Sequence, residues 1–323
     1  RNAVDVYYNM SEKPFEFERG DRAKLQMRIL SPLLAYVLFL RGDLYIYFQY
    51  LMAVLFLALV YYYFRKRGHS TLQSFAVTAM IAFSSPILSM YYFRGYTDAL
   101  SYVLLMMSLL TIRKPVWPLF FTLSLFNHEA NVVVILWLLP YSVVVQKHAM
   151  KKALTVLSVF TGIALYLLFR HYINSQIPVE FSASYYLNVE NMISIFKNYA
   201  MFWWIGTFQS FKLYWFVILL ALYFMWKEKK YLKTGFIFLV ILSTAAQLLV
   251  AWDTSRLMAL AFPALVFSVE ELIRMRPSWV NKKNFAFLFT CNLLTPQLIV
   301  LQNLLLLQLP FWISLPHYFY FNR

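Results

Sequence analysis

The sequence predicts an all-α, polytopic transmembrane protein with about 8–11 membrane helices, short or re-entrant ones among them. Three observations predict it. Apolar residues fill 61% of the 323 positions and charged residues only 13%, too little polar surface for a soluble domain of this size. Runs of about twenty apolar residues recur, the length a helix needs to cross the hydrocarbon with its backbone N–H and C=O groups satisfied internally. The charges also sort by side, with basic residues in one set of loops and acids in the other. Ten-residue alternating strands of the outer-membrane barrel kind are not seen.

The elements follow in chain order. Residues 1–43 read as an outer loop with interfacial helices, and 44–323 as the transmembrane helices of a single domain spanning 1–323. Within the first part, 28–40 starts from the outer side and reads as an interfacial or re-entrant helix. The clearest spans are 44–64, 72–93, 99–112, 153–169, 211–226, 235–252, 257–273 and 285–307. The run 116–145 lies between two basic turns and must go out and back, yet Asn127, His128, Glu129 and Asn131 interrupt it. Two short or broken helices meeting at that polar knot fit best, since irregular backbone at membrane depth survives only where it lines a cavity. The chain starts at Arg1 with no methionine and no secretory leader, and one more helix is expected before it. Cys291 is the single cysteine, set in an apolar run as a small core residue, so there is no disulfide framework.

Net charge is +15, which invites a nucleic-acid reading until the charges are located. Arg65, Lys66 and Arg67; Arg113 and Lys114; Lys147, Lys151 and Lys152; Lys227, Lys229, Lys230 and Lys233; Arg274, Arg276, Lys282 and Lys283 gather in short loops. These 16 basic residues face only three acids, Glu228, Glu270 and Glu271, and account for +13 of the +15. By the positive-inside rule these loops are cytoplasmic. A nucleic-acid surface would show as a basic face on a folded domain, so no nucleic-acid partner is expected. Asp5, Glu12, Glu16, Glu18, Asp21, Asp43, Asp98, Glu180, Glu190 and Asp253 then fall on the extracytoplasmic side, and the candidate chemistry faces outward.

Ionisable residues in or at the rim of a membrane span are expensive, and each is a candidate for function. Asp5 and Asp21 lie in the charged N-terminal segment, either as members of a site or as solvated loop carboxylates. The turn Arg94-Gly95-Tyr96-Thr97-Asp98 opens a helix, and Asp98 suits either an N-cap or a pocket. His128 and Glu129 would cost several kcal/mol facing lipid, so they line a cavity or tie the two broken helices together. A zinc-protease HExxH motif is excluded, because its second histidine position is Val132. Asp253 and Arg256 either pair at a helix start or leave Arg256 facing a lipid-linked phosphate, and Arg28 has the same two options. The sequence compels no metal site, and neither a divalent ion nor another cofactor is indicated. No phosphate-cradling glycine loop, GxSxG elbow or CxxC pair is present.

The stretch Val4-Asp5-Val6-Tyr7-Tyr8, followed by Met27-Arg28-Ile29-Leu30-Ser31-Pro32-Leu33-Leu34, resembles the first outer loop of GT-C glycosyltransferases, in particular transferases using polyprenol- or dolichol-phosphate mannose. Arg94 to Asp98 resembles the second outer turn of related bacterial proteins, and Asp253 to Arg256 looks like their Asp-x-x-Arg turn before a late helix. The chain departs at His128, where the family commonly carries a basic residue. The resemblance implies a polyprenyl-phosphate sugar donor, a glycan, lipid or protein acceptor, and inverting transfer at the outer leaflet. It further implies Asp5 as general base, Arg28, Arg256 and Arg94 as phosphate ligands, and Asp21, Asp98, His128, Glu129 and Asp253 around the pocket. Two other readings stay open: a transporter or flippase for a lipid-linked or anionic solute, and a non-catalytic subunit of a membrane assembly.

Overall fold

The computed structural model describes residues 3–16, 23–93, 95–176, 188–249, 253–278, 281–301 and 304–308. Asp21 and Arg94 lie outside the described residues. The chain folds as two compact units, Arg1–His69 with Met90–Tyr185, and Ser70–Ser89 with Tyr186–Arg323.

In the first unit, α1 (Ala3–Glu12), a 3-10 turn (Ala23–Met27) and α2 (Leu30–Val37) pack together and on α3 (Tyr45–Lys66). The N-terminal segment is therefore part of a core, with Tyr7, Met10 and Ser11 buried. A tight turn at Gly42 makes this packing possible. Its φ is +55°, its N–H donates to Ser11 Oγ at 2.8 Å, and a Cβ there would stand 2.5 Å from Glu12 Oε1. On α3, Tyr45, Phe48, Met52, Phe56, Val60 and Tyr63 face inward at helical spacing, while Tyr47, Leu51, Val54 and Tyr62 remain exposed. A helix apolar all round suits a lipid surround.

The chain then leaves through α4 (Thr71–Ala82), part of the second unit, and returns along α5 (Ser85–Tyr92). The first unit continues with α6 (Asp98–Leu110), α7 (Trp117–Asn127), a 3-10 turn (Glu129–Val134), α8 (Ile135–Val145) and α9 (Ala149–Gln176). Pro118 sits in the first turn of α7, where its missing N–H has no helical role. Helix α7 packs against both α6 and α9, and Gly162 of α9 lets the Thr122 side chain approach closely.

The second unit contains α10 (Val189–Phe211), α11 (Tyr214–Lys227), α12 (Tyr231–Ala245) with a 3-10 extension (Ala246–Leu249), α13 (Thr254–Met258), a 3-10 turn (Ala259–Ala261), α14 (Phe262–Met275) and α15 (Lys282–Leu294). Helix α14 is its core, buried along almost its whole length and covered by α11 and α12. The described chain ends in an antiparallel hairpin, β1 (Gln297–Leu301) with β2 (Leu304–Gln308), Gln297 opposite Gln308.

The described chain is all-α apart from that hairpin, and several expected spans are divided differently. The run 285–307 is not one helix. Thr295 precedes Pro296 and takes an extended conformation (φ −66°, ψ 121°), which ends α15 and turns the Leu-rich remainder into strands. The run 72–93 breaks at Phe83 and Ser84, ahead of Pro86, whose ring and missing N–H cannot continue α4. The run 257–273 divides at Ala259–Ala261, with Pro263 in the first turn of α14. The start of 211–226 is wrong as well: Phe211 ends α10, Lys212 takes φ 48° and ψ −125°, and α11 leaves at 87° to α10.

Among the described residues, three helices are long and apolar enough to cross a membrane: Gly42–Lys66, Ala149–Gln176 and Tyr231–Leu249. The bent pair α10 and α11 makes four if it counts as one span. The eight to eleven membrane helices expected included short or re-entrant ones, and these three or four are the spans of full length. Breaks such as those above cut other apolar runs into pieces like the 12-residue α4, about 18 Å long against a hydrocarbon core of about 30 Å.

A buried arginine cluster as candidate functional site

The site begins with the break in 116–145, which falls at the expected polar knot. His128 is extended (φ −158°, ψ 122°), so α7 stops at Asn127, and His128 Nδ1 accepts from the N–H of Ala130 at 3.1 Å to cap the following 3-10 turn. Two asparagines hold the break in place. Asn127 Nδ2 donates to the Thr97 carbonyl at 2.6 Å and to Ser101 Oγ at 2.9 Å; Asn131 Nδ2 donates to Ser101 Oγ at 2.9 Å and to the Ser124 carbonyl at 2.8 Å. The start of α6 is thereby tied to the end of α7. The Oδ1 atoms of both asparagines are buried without a hydrogen-bond partner among the described residues.

With its backbone so fixed, Glu129 meets Arg28. Arg28 Nε donates to Glu129 Oε2 at 2.8 Å, Nη2 to Glu129 Oε1, and Nη1 to the Tyr7 hydroxyl at 3.1 Å. The Arg28 side chain is 11% exposed and that of Glu129 38%, so the carboxylate forms the wetter side of the pair. Burial works against the Arg28 charge, but the Glu129 carboxylate and the Tyr7 hydroxyl more than offset it and hold the guanidinium above its ordinary pKa. Of the five guanidinium N–H groups, three are engaged by described residues and two remain for another acceptor.

His128 and Asp98 sit beside this pair, both buried. With Nδ1 accepting, the imidazole proton is assigned to Nε2, which lies 3.9 Å from Asp98 Oδ1; Nδ1 is 3.7 Å from Glu129 Oε2. Tyr7 packs between Tyr45 and Tyr96, with ring centroids 6.5 and 6.1 Å away. The cluster thus has an aromatic wall, a fixed cation and three titratable neighbours.

Four of the expected site residues, Arg28, Asp98, His128 and Glu129, come together. Asp98 is not an N-cap: it is the first residue of α6, Thr97 takes the cap position, and no side-chain cap bond forms. Asp5 is half-buried on α1, two residues from Tyr7. Asp253 and Arg256 belong to the second unit and pair with each other, Arg256 Nη1 lying 3.2 Å from Asp253 Oδ2. Among the described residues no group of three or more His, Cys, Asp or Glu side chains is set to hold a metal ion.

Sequence reasoning missed Ser101, which joins the two asparagines, and Tyr7 as a partner of Arg28. Ser101 was detectable as the polar residue that follows Asp98 in the first turn of an otherwise apolar stretch of α6. It also missed Lys212, which is 4% exposed and donates from Nζ to the carbonyls of Thr295 (3.1 Å) and Asn292 (3.5 Å). Glu270 and Glu271, the acids counted among the basic turns, are buried on α14 and ion-paired to Arg274, Lys230 and Lys233. Cys291 is free and partly exposed.

A scan against protein-family models finds no match, and comparisons with curated proteins and with solved structures find none either.

Proposed function

We propose that this chain is a membrane glycosyltransferase that moves a sugar from a polyprenyl-phosphate donor to an acceptor hydroxyl, with inversion, at the extracytoplasmic face. The observation that carries this reading is Arg28, a guanidinium held in place by Glu129 and Tyr7 with two donors unspent, beside His128 and Asp98 in a strongly apolar chain. Polar clusters in such surroundings are costly and are kept where chemistry needs them.

In this mechanism Asp5 takes the proton of the acceptor hydroxyl. The acceptor oxygen bonds to the anomeric carbon as the bond from that carbon to the phosphate oxygen breaks on the opposite face, and the polyprenyl phosphate leaves with the electron pair. The two remaining Arg28 donors stabilise the charge developing on that phosphate. Glu129 keeps the guanidinium aimed, and His128 and Asp98 shape the acceptor side.

The test is release of polyprenyl phosphate from polyprenyl-phosphate mannose by the purified full chain in the presence of an acceptor glycan. Asp5→Asn should lower release by about a hundredfold or more while thermal unfolding stays unchanged. Parent-like release from Asp5→Asn, or none from the parent with mannosyl and glucosyl donors alike, rejects the reading.

One observation favours a second reading, transport of an anionic solute: the 87° bend between α10 and α11 carries a buried lysine at its break. Under that reading solute flux into vesicles responds to Lys212→Met and ignores Asp5→Asn.

A further inference from the structure

Helices α4 and α15 of the second unit leave a groove of about 310 Å³ between them. The cause is local. Ala76, Ala79 and Ala286 line it beside Phe75, Phe285 and Phe289, and their methyl groups are too small to fill the space. Phe75 is 65% exposed at the groove's edge, so the opening is apolar as well as accessible. A chain that carries candidate membrane spans would present such an opening to lipid.

The rim has a different chemistry. Gln73 lines the groove with its Oε1 engaged by the N–H of Ser70, which leaves its Nε2 amide with no partner among the described residues. Lys282 lines the groove from the first turn of α15, Lys283 follows it, and both are exposed. Neither forms an ion pair with a described residue. Four other basic residues of this unit differ: Lys230, Lys233, Arg274 and Arg276 are bound to Glu228, Glu270 or Glu271. At the groove Lys282, Lys283 and the Gln73 amide have no such acid or acceptor partner among the described residues.

We propose that the groove holds an acyl chain of an anionic phospholipid, whose phosphate is taken by Lys282 and the Gln73 amide, with Lys283 adding attraction. Basic residues at the mouth of an apolar cleft between membrane helices select anionic headgroups. A zwitterionic lipid would present its own cation to the same lysines. A second copy of the chain fits less well, because a two-fold contact through this face brings identical basic turns together. The proposal is independent of the transferase reading.

The test is competitive retention of phosphatidylglycerol and phosphatidylcholine with the same acyl chains, by native mass spectrometry of the full chain in detergent. Phosphatidylglycerol should be retained about fivefold or more over phosphatidylcholine, the effect of roughly one basic residue at an anionic surface. Lys282→Glu with Lys283→Glu should erase that preference. Ala286→Trp fills the groove without altering charge and should lower retention of both lipids, with circular dichroism checking that helix content is kept. Equal retention in the parent, a preference that survives the double charge reversal, unchanged retention in Ala286→Trp, or a dimer through this face that phosphatidylglycerol does not dissociate would each overturn it.

Discussion

Arg28 and Glu129, 101 residues apart, meet through two guanidinium arms and both carboxylate oxygens. The pair joins the segment ahead of α2 to the break after α7, so it fixes the geometry of the whole cluster. Glu129→Gln should destabilise the chain by about 1–3 kcal/mol, less than the roughly 3–5 kcal/mol of a fully buried pair, because solvent screens the carboxylate. Replacing both residues, as Arg28→Met with Glu129→Leu, removes the uncompensated charge and should cost less than Glu129→Gln alone. Thermal unfolding in detergent gives the comparison; a double variant that falls below the single one would show that the pair is not what holds this break.

The polar break was legible in the sequence for a physical reason. Asn127, His128, Glu129 and Asn131 stand in an apolar run, and backbone and side chains there must find partners. The identity of the partners was not legible, since pairing over 101 residues depends on how α1 and α2 fold back on α3. Helices α3 and α9 were likewise readable, being long apolar runs without internal proline. The runs 72–93 and 285–307 misled because hydropathy counts side chains, whereas Pro86 and Pro296 act on the backbone. Lys212 was hidden among the basic residues of a chain with +15 net charge; only its burial distinguishes it.

Gly162 should tolerate no side chain. A Cβ added there would overlap the Thr122 side chain across the α7 and α9 interface. Gly162→Ala is expected to cost about 1–3 kcal/mol through overpacking. Thr122→Ala in the same chain opens the space and should restore most of that loss. Unfolding midpoints of the three variants decide it, and a Gly162→Ala chain as stable as the parent would refute the close approach.

At the bend between α10 and α11, Asn292 is buried and works in three directions. Its Oδ1 accepts from the Leu213 N–H at 3.0 Å, its Nδ2 donates to the Phe83 carbonyl at 3.4 Å, and its own carbonyl receives Lys212 Nζ at 3.5 Å. Asn292→Ala leaves the Leu213 N–H without its acceptor and should cost about 1–3 kcal/mol. Asn292→Asp keeps that acceptor and adds a negative charge close to the Lys212 ammonium, so it should be better tolerated than alanine. The reverse order in a denaturation series would mean that the amide donor to Phe83, and not the acceptor to Leu213, holds the bend.

The ion pairs around Glu271 separate two kinds of loss. Glu271 is 6% exposed, while the Lys233 side chain that bonds it at 2.6 Å is 48% exposed. Glu271→Gln removes the buried charge, keeps a hydrogen-bond acceptor, and leaves lysines that can turn into solvent; the expected cost is about 1 kcal/mol or less. Lys233→Met instead leaves a buried carboxylate served, among the described residues, by Lys230 at 3.8 Å and Arg274 at 3.5 Å. That change should cost more, about 1–3 kcal/mol, because an undercompensated buried ion is worse than none. Combining the two substitutions should then be nearly as mild as Glu271→Gln alone, since the charge that suffered from losing Lys233 is gone. Stability of the four members of this cycle in moderate salt gives the coupling directly, and a Glu271→Gln variant less stable than Lys233→Met would reverse the assignment of which side of the pair is committed to the core.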